Sequence, residues 1–222
     1  MEWIQRKDIT QYLIGSEFID MSNPKIGIIA QYCMERALNS IATDKDAFPD
    51  PEAETARQCF LLVRDEIKHS HDVKSNKMTF KASDVLSQKE GTCFAKANLL
   101  CALLRQCGIP AGIGYQYLRL DGTMNTSLIL HALNYVYLEY AGGWFRIDAR
   151  GNSDGSNETE IIDSQFVIGE EKLAFAVHPE MGECDIPFVY ASHDRGVLGK
   201  FARFDNLNEL WDNLPDKLSG IE

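Results

Sequence analysis

The stretch EGTCFAKANLLCALLRQCGIPAG, Glu90 to Gly112, sets a cysteine directly after Gly91-Thr92 and at the head of a run with helical spacing. Thr92 can cap its start, Phe94, Ala97, Leu100, Cys101 and Leu104 share an apolar flank, and Gly108 with Pro110 ends it. Inside such a helix, Cys101 and Cys107 read as small apolar core residues. Cys93 stands elsewhere, at the helix start. Aligned peptide dipoles place about half a positive charge there, and the first-turn N–H groups lack intrahelical acceptors. A thiolate is favoured at that position, and the backbone N–H of Cys93 is placed to receive an oxyanion.

Working upstream, Ser22-Asn23-Pro24 offers a cap with proline at the first helical position, and IGIIAQYCMERALNSI repeats apolar residues at three- and four-residue intervals. Asp50-Pro51-Glu52 opens a second helix that runs through Phe60, Val63 and Ile67 to end near His69. A polar turn, HSHDVKSNKM, leads to a short capped helix at Ser83-Asp84-Val85-Leu86. Downstream the period changes to strands: GIGYQYLRL, LILHALNYVYLEY, a turn at Ala141-Gly142-Gly143, then WFRIDA. NLNELWDNLP reads as a closing amphipathic helix. Helices first and antiparallel strands afterwards make the chain α+β, and with no repeat or linker it is read as one domain over 1–222.

A nucleophilic cysteine needs a base. His131 begins an alternating stretch and Asp148 closes WFRID across the Gly-Gly turn, so the two can lie side by side in an antiparallel pair. Direct opposition requires Leu133 to face Arg146 and Tyr135 to face Trp144, with a connection of about four residues between Tyr137 and Gly142. A tight turn at Ala141-Gly142 would set His131 opposite Asn152 instead, roughly 13 Å along the strand from Asp148. The triad therefore predicts a wide loop or a bulge.

Composition narrows the function. The 222 residues are 45% hydrophobic and 25% charged, with net charge −11 and no cluster of Lys and Arg, which argues against a nucleic-acid partner. The N-terminus lacks a basic head and apolar signal segment, and SLILHALNYVYL is too short to span a bilayer, so a cytoplasmic protein without a membrane partner is expected. Six cysteines in a domain of this size read as reduced thiols. No C-x-x-C pair occurs, so neither a metal nor another cofactor is expected.

GTCFAKANLLCALLRQCGIPAG, a following strand and LHALNYVYLEYAGGWFRIDARGN together resemble the core of the transglutaminase-like superfamily. Its three motifs centre on a Cys at a helix N-terminus, a His on a strand and an Asp on the next strand. The match spans about residues 59–151, and ARQCFLLVRDEIKHSHD is similar to the helix with V-R-D-x-I that precedes the cysteine segment in microbial members. The resemblance implies a papain-like fold, with N-terminal helices and the cysteine helix packed on an antiparallel sheet. It implies that Cys93 attacks an amide carbonyl, His131 moves the proton and Asp148 orients the imidazole. The substrate would be a peptide, protein or small amide. Hydrolysis, as a peptidase or amidase, is the leading expectation; transfer to an amine, or a silent binding module of the same fold, are the alternatives.

For a second oxyanion donor or a substrate contact the candidates are Gln88, Gln116, Tyr115, Trp144 and His69, the last read more simply as an exposed histidine near helix-end carbonyls. DARGNSDGSNETEI resembles a calcium loop, but its register puts Arg150 and Ile161 where carboxylates belong. Asn125 and Asn157 head glycosylation-type triplets that carry no meaning without a secretory route. His178 and His193, with no assignable carboxylate or thiol partner, read as structural. Oligomeric state is not legible.

Overall fold

The computed structural model describes residues 3–119, 122–154 and 161–220. Two long helices open the fold. Helix α1 (Pro24–Thr43) starts where the Asn23 side chain accepts from the Lys25 amide, and α2 (Pro51–Glu66) where Asp50 accepts from Ala53, each with proline in the first turn. Helix α3 (Ala82–Gln88) has no cap from its own flank, contrary to the sequence reading. Its Ser83 amide is taken by Asp20, 63 residues earlier, at 3.0 Å.

Helix α4 (Cys93–Gln106) is the centre of the molecule. The Thr92 hydroxyl accepts from Ala95 at 3.4 Å, and Gly108, at φ 82°, turns the chain out of the helix. Every residue from Phe94 to Arg105 is buried. The apolar flank expected from spacing is therefore the whole circumference. Helices α1, α2 and α3 pack on it from one side, and a sheet from the other.

That sheet has five strands in the order β1, β9, β4, β5, β6, where β1 is Ile4–Gln5, β4 Ala111–Arg119, β5 Leu128–Leu138, β6 Gly143–Ile147 and β9 Cys184–Tyr190. All neighbours are antiparallel except β1 and β9. Alternation along β5 puts Leu130, Ala132 and Val136 in the main core, while Leu133 and Tyr135 form a second cluster with Tyr12 and Val189. Gly112 and Gly114 leave space for that cluster: a Cβ on Gly114 would fall 2.4 Å from Tyr135 Cε2.

Two features differ from the sequence reading. His69 does not lie in a polar turn; Lys68–His69 (β2) pairs in parallel with Glu90–Gly91 (β3), immediately before Thr92 and Cys93. The C-terminal segment holds β9 and a helix α5 (Arg195–Phe201) that local pattern did not reveal, and the closing helix α6 shrinks to Leu207–Trp211. Of the polar loop at 151–160, Ser153–Asp154 (β7) pairs with Ile161–Ile162 (β8), while Asn157 and the rest of 155–160 lie outside the described residues. All six cysteines are free thiols. Among the described residues no helix is long and apolar enough to cross a membrane.

Candidate active site

Cys93 is the first residue of α4 and stays partly exposed while Phe94 to Arg105 are buried. Its position follows from three local choices: β3 ends at Gly91, Thr92 supplies the cap, and the helix begins at once. A Cβ on Gly91 would lie 3.1 Å from the Ala95 Cβ and 3.3 Å from the Thr79 and Val85 side chains, so β3 passes close to α4 at this residue.

His131 sits on β5 with Gln116 directly across on β4. Its Nε2 is 2.8 Å from Asp148 Oδ2, and Cys93 is its second side-chain hydrogen-bond partner. With Nε2 committed to the carboxylate, Nδ1 is the nitrogen left for the thiol. Burial alone would push the imidazole below its ordinary value; the Asp148 charge and the Cys93 sulfur outweigh it, and His131 is raised from 6.5 to about 10. The group holds its proton at neutral pH.

Asp148 is only 1% exposed. Its Oδ1 accepts from the Arg150 amide and its Oδ2 from the Ala174 amide, both at 3.1 Å, in addition to His131. Burial acts to raise this carboxyl, but the imidazolium and the hydrogen bonds hold it below the usual range. Phe175 meets the His131 ring edge-on at 5.0 Å and shields the pair from solvent.

The register differs from the one inferred from sequence. Leu138 pairs with Gly143, Tyr137 with Trp144 and Asn134 with Ile147, so Leu133 does not face Arg146 and His131 is not directly opposite Asp148. The connection is the expected four residues, a 3-10 turn Glu139–Ala141 closed by Gly142 at φ 78°. Pairing stops at Ile147. Asp148 then leaves the strand direction and meets His131 beyond the last rung.

The secondary candidates fare unevenly. Trp144 stands six strand positions from His131, roughly 20 Å along β5, and donates to Gln5 instead, so it does not line this site. Gln116 is buried, but its amide donates to Asp185 at 2.9 Å and to the Phe175 carbonyl at 3.5 Å, and only its oxygen is left over, which cannot serve an oxyanion. The Tyr115 hydroxyl accepts from Asp194 N and bonds His193 Nδ1 at 2.8 Å, which occupies its one proton. Gln88 is exposed at the end of α3. His69 is not an exposed helix-end residue: it is 9% exposed, and burial first, then the Arg150 and Lys96 charges, push it well below its ordinary value. Its Nδ1 has no hydrogen-bond partner among the described residues, and its ring lies 6.4 Å from Trp211. Of the two histidines read as structural, His193 is buried and bonded to the Phe94 carbonyl, whereas His178 has a carboxylate neighbour after all, Glu180 at 3.4 Å.

Three contributors were not legible beforehand. Arg150 forks onto both oxygens of Asp72 at 2.7 Å, locking the turn after His69 against the end of β6. Lys96, one turn into α4, is 1% exposed and donates to the Ile67 carbonyl; burial, with Arg150 next, lowers it to about 7. The third is the irregular segment carrying Ala174 and Phe175, which has no periodic pattern to betray it.

A helix-borne thiol against an imidazole held by a buried carboxylate, on an α+β scaffold, defines a class of cysteine acyl-transfer proteins. The sequence profile of the transglutaminase-like superfamily matches residues 39–149, half of the chain, and the protein belongs to that superfamily. Solved structures with a similar fold include a candidate cysteine protease from Cytophaga hutchinsonii, 18% identical with a TM-score of 0.40, covering 65% of this chain and 43% of that one. The periplasmic domain of TgpA from Pseudomonas aeruginosa is also 18% identical, with a TM-score of 0.43 over 65% of this chain and 48% of that one. Red sea bream transglutaminase is 13% identical, with a TM-score of 0.42 over 69% and 29%. The chain thus spans less than half the length of each. No curated protein matches the sequence.

Proposed function

We propose that the protein is a cysteine hydrolase that cleaves an amide, as a peptidase or amidase, with Cys93 as nucleophile, His131 as proton carrier and Asp148 as its orienting anion. The observation that carries this reading is the 2.8 Å bond from His131 to Asp148 on a ring whose other partner is Cys93. The Cys93 sulfur attacks the amide carbon while the proton already on His131 passes to the departing nitrogen. The oxyanion that forms lies against the open N–H groups of the first turn of α4. Water then attacks the thioester, His131 Nδ1 takes its proton, and the acid leaves Cys93 as the thiolate beside a protonated His131, the state from which the cycle began. Asp148 keeps Nε2–H in place throughout.

Water is favoured over an amine as acceptor because transfer requires water to be kept from the thioester, and Trp144 sits at the far end of the sheet where it cannot do so. A panel of activated esters followed by intact-mass measurement tests the reading. A transient adduct on Cys93, absent in Cys93→Ala and persistent in His131→Ala, is the expected result; no adduct from any ester would leave a silent binding module. A glutamine peptide with a labelled primary amine separates the acceptors, since incorporation of the amine would overturn hydrolysis.

A further inference from the structure

Three thiols that the proposed chemistry does not use converge at the other end of α4. Cys33 on α1 and Cys59 on α2 are fully buried; Cys107, the residue that caps α4, is partly exposed. The Cys59 thiol is in hydrogen-bond contact with both Cys107 and Cys33, and the Cys107 sulfur lies 3.6 Å from the Ala30 carbonyl, one turn from Cys33. The three are not arranged to hold a metal ion. From Cys93 to Cys107 the helix runs about 20 Å, so this cluster is separate from the candidate active site.

We propose that Cys107 and Cys59 form a thiol–disulfide couple in which a peroxide-class oxidant reacts at Cys107 and Cys59 resolves it, tying α2 to the end of α4. The asymmetry of the pair sets the order of events. Cys107 is the sulfur an oxidant can reach, and the hydrogen bond from Cys59 lowers its pKa; Cys59 is held well above the ordinary value by its bonds to Cys107 and Cys33 and by burial. The Cys107 thiolate attacks one peroxide oxygen, the O–O bond breaks, and hydroxide leaves to be protonated to water. Cys59 then attacks the sulfenic sulfur, its proton leaves with the displaced oxygen as a second water, and the S–S bond forms. Two thiols lose two electrons and two protons, and one peroxide becomes two waters.

The cluster does not depend on the reading of Cys93, and the test removes that residue. The full-length Cys93→Ser protein is treated with hydrogen peroxide, blocked with N-ethylmaleimide, digested without reductant and analysed by mass spectrometry. The expected product joins the Cys59 and Cys107 peptides, two hydrogens lighter than their sum and separated by dithiothreitol. Cys59→Ser should instead leave Cys107 as a sulfenic acid trapped by dimedone. The exposed Cys184 reports that oxidant was sufficient. Cys107 still blocked by maleimide when Cys184 is oxidised, Cys107 carried to a sulfinic acid with Cys59 free, or a Cys33–Cys59 link would each overturn the proposal.

Discussion

Replacing Asp148 by Asn preserves shape and removes one charge, which makes it the sharpest probe of the site. His131 stands at about 10 because the carboxylate outweighs a burial that pushes the other way. Without the carboxylate, burial is opposed only by Cys93, and His131 should fall toward or below its ordinary 6.5. At pH 7.5 a group with a pKa of about 10 is nearly all charged, whereas one at 6.5 is roughly 90% neutral. The proton that leaves with the amine is then missing from most molecules, and acylation should slow by about tenfold, and by more the further His131 falls below 6.5.

The same variant has a stability signature. Asp148 accepts from Arg150 N on one oxygen and from Ala174 N and His131 on the other. Asn offers one acceptor oxygen, so a buried N–H loses its partner at about 1–3 kcal/mol. The His131 contribution to wild-type stability is complete below pH 6.5 and is lost as pH rises through about 10, because the folded value is the raised one. Asp148→Asn should lack that alkaline decline. Histidine ring NMR across pH, urea unfolding at pH 6 and 9, and single-turnover acylation read the three effects. A His131 that still titrates near 10 in the variant, with acylation at the wild-type rate, would refute the electrostatic account.

Gly114→Ala should lose about 1–3 kcal/mol, because its Cβ would lie 2.4 Å from Tyr135 Cε2 and 2.8 Å from Leu133 Cδ1; an unchanged urea midpoint would show that the second cluster yields. Asn134→Ala removes bonds to the carbonyls of Ala97 and Gly112 and to the Cys101 sulfur, and should cost about 1–3 kcal/mol by denaturant titration, which a neutral result would contradict. Lys96→Met replaces a buried amine lowered to about 7 from 10.5, so stability of the variant relative to wild type should fall as pH rises from 7 to 10.5, where wild type no longer bears the cost of a buried charge. Melting temperatures at pH 6.5 and 9.5 that differ by the same amount in both proteins would exclude this.

The register error shows where sequence stops being informative. Caps at Asn23, Asp50 and Thr92 lie within a few residues of the amides they satisfy, and each was legible. The pairing of β5 with β6 was not. The anticipated and observed registers both leave a four-residue connection, and both keep every side chain on the same face, since the shift between them is even and strand side chains alternate with period two. Nothing in the alternation separates them. Only the geometry of the Glu139–Ala141 turn does, and His131 meets Asp148 because pairing ends at Ile147 rather than because the two are opposed. Strand β1 was hidden for another reason: Ile4 meets Phe188 from the opposite end of the chain, and a two-residue strand has no period.

Helix α4 reverses the usual inference from polar residues. Lys96, Asn98 and Arg105 look like a solvent face, yet each is buried and each donates to backbone carbonyls of irregular segments: Ile67 beside His69, Phe80 before α3, and Ile14, Ala111 and Ala191 at the ends of loops and strands. A central helix has no solvent face to spend polar residues on, so they survive only where carbonyls without ladder partners need donors. The helix thereby becomes the element to which the surrounding loops are fastened, and the one residue of its first turn that remains partly exposed is Cys93. Placing Cys93 at the open end of the most constrained element fixes its direction relative to His131. Loosening α4 at Arg105, some 18 Å away along the helix, should therefore reach the chemistry at Cys93 even though the two side chains share no partner.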